Sequence, residues 1–144
     1  GKRLVKSPKV YVRDSGLLHA LLGLGDREAV LGHPVAGPSW EGFVIETLHA
    51  ASWPGMEQHF YRTAAGAEID LVLTFPGGRR WAVEIKRSLD PKPGKGFHSA
   101  RADLEPDASY VVYPGQERFP LGDGIEAIGP AELAARVAGL KPAP

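Results

Sequence analysis

The sequence predicts an α/β fold, a sheet flanked by helices in the element order αβββαβ. Three observations carry that expectation. Residues 68–75 and 79–86 alternate apolar and polar side chains on either side of Pro76-Gly77-Gly78, which is how a hairpin reads. Residues 39–52 repeat apolar side chains at helical spacing instead. The 144 residues, 43% hydrophobic and 24% charged, suffice for one domain with a true core.

Taken in order, Lys9–Arg13 alternates weakly and predicts a short strand. Asp14-Ser15 supplies a cap for a helix through Leu22, ended by Gly23 and Gly25. Residues 25–38 are rich in Gly and Pro and read as a loop. Ser39 is the expected cap of the next helix, which runs to Ser52 with Trp40, Phe43, Val44, Thr47, Leu48 and Ala51 on one face and Trp53-Pro54-Gly55 beyond it. Strands follow at 59–62, 68–75 and 79–86. Residues 89–96 hold two prolines and two glycines and must be loop, and 97–104 form a short helix. Ser109–Tyr113 reads as a buried strand, 117–128 as one irregular strand, and Pro130 as the first turn of a last helix closed by Gly139.

Composition excludes several classes. With no cysteine there is no disulfide, thiolate zinc site or cysteine nucleophile. The five histidines show no H-x-x-x-H pair, so a zinc hydrolase is not expected, and no G-x-S-x-G elbow is present. No apolar run approaches membrane-spanning length and no signal peptide is evident, so the expected location is the cytoplasm, with no membrane partner. Zero net charge excludes a globally basic nucleic-acid binder but not a locally basic one. Residues 1–13 carry five cations and no acid, and 79–101 carry seven cations against Glu84 and Asp90, whereas 103–126 are acidic. The absence of an initial Met and the basic opening suggest a piece of a longer protein or a trimmed tag.

The chemistry concentrates in the central hairpin. With Pro76-Gly77-Gly78 as a three-residue loop, Phe75 faces Arg79, Asp70 faces Glu84 and Glu68 faces Lys86. These four polar groups then share one face, and Ile69, Leu71, Leu73, Phe75, Trp81, Val83 and Ile85 share the core face. Glu68–Lys86 is an ordinary ion pair. Asp70 opposite Glu84 is not, because opposed like charges destabilise a sheet by up to roughly 1 kcal/mol. Either one carboxyl takes a proton or a hard cation sits between them, and Mg²⁺ bound at about 2.0–2.1 Å suits such a pair. An exposed charged strand face is the simpler alternative. In the helix over 39–52, Glu41 flanks the apolar face and can reach the same site, although a first-turn acid is also explained by the helix dipole. Glu46 points to solvent.

Gly37–Glu41, Asp70 and Glu84-Ile85-Lys86 together resemble the PD-(D/E)XK (restriction-endonuclease-like) nuclease superfamily, whose αβββαβ core carries a central mixed sheet flanked by helices. Lys6–Leu18, Trp40–Val44, Tyr61–Asp70 and Val83–Lys86 are similar to a C-terminal domain of unknown function in predicted prokaryotic AAA+ ATPases, over about residues 6–113. The resemblance implies that 1–37 link to an upstream ATPase module and that 38–144 form the nuclease-like domain. No G-x-x-x-x-G-K-[ST] loop is present, so ATP is expected only through that module.

The expected function is Mg²⁺-dependent phosphodiester hydrolysis of DNA, with Mn²⁺ as a substitute metal. Asp70, Glu84 and Glu41 would hold the metal. Lys86 would serve the attacking water or the developing charge, which makes Glu41, Asp70, Glu84 and Lys86 the catalytic set. Arg79, Arg80, Arg87, Lys92, Lys95 and Arg101 are candidate phosphate contacts. His98 is either a substrate contact or a surface residue. The alternatives are a non-catalytic DNA- or protein-binding module that targets the ATPase, or a structural domain that packs against it.

Overall fold

The computed structural model describes residues 3–4 and 7–142; Lys2 and Lys6 of the basic opening lie outside the described residues. The elements are α1 Ser15–Leu21, α2 Arg27–Gly32, α3 Ala36–Ala50, β1 Glu57–Arg62, β2 Glu68–Thr74, β3 Arg80–Ile85, α4 Lys95–Leu104, β4 Ala108–Val112, β5 Phe119–Gly122, β6 Ile125–Ile128 and α5 Pro130–Gly139. The strands join in one six-stranded mixed sheet, ordered β1-β2-β3-β4-β6-β5, in which β3–β4 and β4–β6 are parallel. No helix among the described residues is long and apolar enough to cross a membrane.

Helices cover both faces of the sheet. On one side Val44 and Leu48 of α3 and Leu133 and Val137 of α5 pack on Leu71, Leu73, Phe75, Trp81, Val83, Tyr110, Val112 and Ile128. On the other, Phe97 and Ala100 of α4 pack on Ala67, Ile69, Val72, Ala82, Val111 and Ile125. The second face of the hairpin is therefore buried too, and its charged side chains are confined to one end.

The hairpin register follows the expectation: Leu71 pairs with Val83, Leu73 with Trp81 and Thr74 with Arg80, and the Phe75 amide donates to the Arg79 carbonyl. One side chain departs from it. Ile69 lies under α4, on the opposite side of the sheet from Leu71, which strict alternation forbids. The pairing of β1 explains this. His59 pairs with Val72 but Tyr61 pairs with Ile69, so Asp70 and Leu71 together oppose Phe60. This β-bulge re-aims Asp70, a known use of such an insertion.

Four other expectations are corrected. Lys9–Arg13 joins no ladder; it runs across the domain with Lys9 and Tyr11 half-buried and Val10 88% exposed. The loop expected at 25–38 contains α2, capped by the Asp26 side chain, and the start of α3. Pro38 stands in the first turn of α3, where its missing N–H costs no hydrogen bond. Ser39 thus lies inside the helix, buried, with its Oγ 2.7 Å from His19 Nε2, and Phe43 is exposed. Finally, 117–128 is a hairpin of β5 and β6, turned at Gly122, Asp123 and Gly124, all with positive φ.

Candidate functional site

The bulged β2, the end of β3 with the start of α4, and the first half of α3 bring the acids together. Glu41, Glu68, Asp70, Glu84 and Lys86 line one polar pocket of about 370 Å³, with Gly66, Ile85, Gly96 and Phe97 completing the wall. Glu41 arrives from α3 because the neighbouring Trp40 donates its indole N–H to the Lys86 carbonyl at 2.9 Å, fixing the first half of that helix over the end of β3. Asp70 Oδ2 accepts the Ile85 amide at 2.9 Å. Glu84, 8% exposed, accepts the Gly94 amide at 3.0 Å at the start of α4, where the helix dipole favours a carboxylate. A Cβ on Gly94 would come within 3.1 Å of Glu84 Oε1, so a larger residue there would push the carboxylate by a few tenths of an ångström. Gly96 is tighter still, since a Cβ there would lie 2.5 Å from the Gly66 carbonyl oxygen.

The expected Glu68–Lys86 pair does not form. Lys86 Nζ sits 2.7 Å from Glu84 Oε1 on its own strand, and Arg62 of the adjacent β1 takes Glu68, with its Nε 3.0 Å from Oε1. Two groups that the pattern did not single out complete the site. Lys9 Nζ lies 3.0 Å from Glu41 Oε1, 3.3 Å from Glu68 Oε1 and 3.5 Å from Asp70 Oδ1. The Tyr11 hydroxyl donates to the same Glu41 oxygen. The available signal is the run of cations over residues 1–13 with no local acid, for which any acidic partner must come from elsewhere in the chain.

Burial sets the electrostatics and the neighbours adjust them. Burial raises the Asp70 carboxyl above the ordinary aspartate value; the Ile85 amide opposes this, and the charge of Glu41 adds to it. Burial also raises Glu68, but its hydrogen bonds to Arg62 and Lys9 outweigh burial and leave it depressed. For Lys9, burial lowers the ammonium, and Glu41, Asp70 and Glu68 more than compensate. Burial and then Glu41 push the Tyr11 phenol up.

A prediction about pH follows. A carboxyl with a raised folded pKa costs stability once ionised, and the cost accumulates as pH climbs from its unfolded value of 3.8 through the folded one. Asp70→Asn removes that charge while keeping an oxygen for the Ile85 amide. In metal-free buffer it is expected to raise Tm at pH 7, with the gain vanishing below pH 3.8. Thermal melts across pH check this; a lower Tm at pH 7 would contradict it.

The donor set, all hard carboxylate oxygens, suits Mg²⁺ or Mn²⁺. Their spacing does not pre-form a coordination shell: no group of three or more His, Asp or Glu side chains among the described residues is arranged to hold a metal ion. Three of the carboxylates close on the Lys9 ammonium instead.

The remaining candidates are dispersed. Arg79 and Arg80 lie at the opposite end of β3 from Lys86, with the Arg80 amide bonded to Asp107. Arg101 is held by Ser109 Oγ and the Asp123 carbonyl. Lys92 pairs with Asp90 in solvent, Lys95 opens α4, and Arg87 borders a different cavity. His98 is exposed and faces Arg101 and Asp123, away from the acids. Glu46 meets Arg13 at 3.1 Å on the surface. That other cavity, about 680 Å³ and mostly apolar, lies between α1, α2 and α3 and is the larger, but no carboxylate lines it.

Residues 36–133 match a family model described as a domain of unknown function, DUF4143. Uncharacterized proteins of Mycobacterium tuberculosis and Mycobacterium bovis are each 46% identical to the chain over 128 residues, covering 89% of this chain and 29% of theirs. The chain thus spans less than a third of the length of these relatives. No solved structure matches it significantly.

Proposed function

This chain belongs to the DUF4143 family, and we propose that it is a PD-(D/E)XK-like domain that hydrolyses phosphodiester bonds in DNA with the help of Mg²⁺. The observation that carries the reading is the convergence of Glu41, Glu68, Asp70 and Glu84, with Lys86, in one polar pocket at the end of the sheet. Helix α3, the bulged β2 and the end of β3 supply these groups in the order the αβββαβ resemblance implies.

Asp70, Glu41 and Glu84 would hold the metal, with Glu68 as a further carboxylate beside them. Bound there, Mg²⁺ supplies Lewis-acid stabilisation of phosphoryl charge and a more acidic water. The chain's own groups do the rest. Asp70 is fixed by the Ile85 amide and Glu84 by the Gly94 amide, so both oxygen donors are oriented in advance. The Lys86 ammonium stands 2.7 Å from Glu84, where it opposes the growing charge on a phosphate oxygen or holds the water that attacks. Arg87, Lys92 and Lys95 lie on the segment leading from the pocket into α4 and would meet the flanking phosphates. The remainder of a longer protein, with an ATPase module upstream, is part of the same proposal.

The test is nicking of supercoiled plasmid by the chain in Mg²⁺ or Mn²⁺ beside a chelator control. Nicking that requires the metal is the expected result, and none in either metal would end the proposal for this chain. The apolar cavity and the exposed Leu17, Leu21, Leu31, Phe43 and Leu89 favour a second reading, a module that docks on another protein, and the cations of residues 79–101 favour its DNA-docking form. That module would bind DNA in a salt-sensitive way without metal, and the binding would survive Asp70→Ala.

A further inference from the structure

We propose that the segment Lys9–Tyr11 is a built-in cationic plug: the Lys9 ammonium occupies the point where Glu41, Glu68 and Asp70 converge, and a divalent cation enters only by displacing it. The inference rests on reading these carboxylates as a divalent-cation site and adds how that site is controlled.

The geometry is that of an ion in its seat. One ammonium stands within 3.5 Å of oxygens from three carboxylates, contributed by α3 and β2. Tyr11 adds a hydroxyl donor to the same Glu41 oxygen, its ring lies against Gly42, and the Phe60 ring lies 5.7 Å from the ammonium. The alternation of the segment is inverted: Lys9 and Tyr11 turn inward while Val10 and Val12 face solvent, at 88% and 43% exposure. A chain folding only to bury apolar surface would turn the other way, so the contacts of Lys9 and Tyr11 are what hold this segment down.

Its attachments allow it to lift. Residues 7–12 make no ladder pairing. The segment is tethered upstream by Leu4 bridging Thr63 and the Arg3 carbonyl accepting the Ala64 amide, and downstream by Asp14 capping α1. Releasing Lys9 and Tyr11 breaks neither tether. Lys9 and a bound metal exclude each other, because carboxylates that reach an ammonium at 3.0–3.5 Å must close in to about 2.0–2.1 Å around Mg²⁺. Arg62 already pairs with Glu68, and the single charge of Lys9 then leaves Glu41 and Asp70 less well neutralised than a divalent ion would, so the exchange favours metal at sufficient concentration. If the seat is free in about 1–10% of molecules, apparent metal affinity falls roughly tenfold to a hundredfold.

The test is calorimetric titration of Mn²⁺ alone into the wild-type chain, Lys9→Met and Lys9→Arg, with acylation of the Lys9 amine by a small amine-reactive reagent, read by peptide mass, in the wild type with and without metal. Lys9→Met is expected to bind Mn²⁺ at least about tenfold tighter, Lys9→Arg to stay close to wild type, and the Lys9 amine, 18% exposed in its seat, to react faster at saturation. Equal or weaker binding by a folded Lys9→Met overturns the plug and leaves the metal site standing. Unchanged reactivity of Lys9 in saturated wild type overturns it as well, even if Lys9→Met does not fold. No Mn²⁺ binding by any of the three overturns the plug together with the metal site beneath it.

Discussion

Phe97→Ala is expected to cost about 3–5 kcal/mol, the usual range for deleting a fully buried aromatic ring. Phe97 is 1% exposed and is the largest side chain by which α4 grips the sheet, against Ala67, Ile69, Val72 and Val111. A helix of 10 residues has little stability of its own, so the loss loosens the whole element. Its N-terminus holds Gly94 on Glu84, and the pocket wall goes with it. Against a total stability of about 5–15 kcal/mol, the variant sits near the edge of folding. Denaturant titration measures the loss, with Phe43→Ala as the control. The helical spacing grouped Phe43 with the core, but it is 45% exposed, and its removal is expected to cost under about 0.5 kcal/mol. Comparable losses for the two would contradict this packing.

Asp70→Asn is expected to lower metal-dependent nicking by about 100-fold or more, which corresponds to roughly 2.8 kcal/mol of lost transition-state stabilisation. The change deletes one formal charge from the proposed cation site and leaves the backbone anchor at Ile85 in place. The same substitution is expected to stabilise the metal-free fold, because burial makes the ionised Asp70 costly. A more stable protein with less activity is the pattern of a residue kept for chemistry rather than for folding. Parallel melting and plasmid assays check both halves. Undiminished nicking would remove Asp70 from the site.

Part of this architecture was legible because short-range rules govern it. Pro76-Gly77-Gly78 set the loop length, and the loop length set the pairing of Leu71 with Val83 and Leu73 with Trp81. Helical spacing placed Val44 and Leu48 in the core and Glu41 on its flank. The rest was decided by contacts distant in sequence. Nothing in Glu68–Thr74 signals a bulge; it appears when β1 pairs, and it sends Ile69 and Leu71 to opposite sides. Gly37 and Pro38 read as helix breakers, yet a proline in a first turn interrupts nothing. Lys9 and Tyr11 reach Glu41 across about thirty residues of sequence, and Lys9 reaches Glu68 across about sixty, which draws Glu68 into a network that strand pairing alone gives to Lys86.

The most direct test of the proposed cation site is the anomalous-scattering map of a crystal of this chain soaked in Mn²⁺. The account predicts a peak coordinated by Asp70 and Glu41, with the Lys9 ammonium moved off its present seat. A map with no peak in that pocket, Lys9 still resting among Glu41, Glu68 and Asp70, would contradict it.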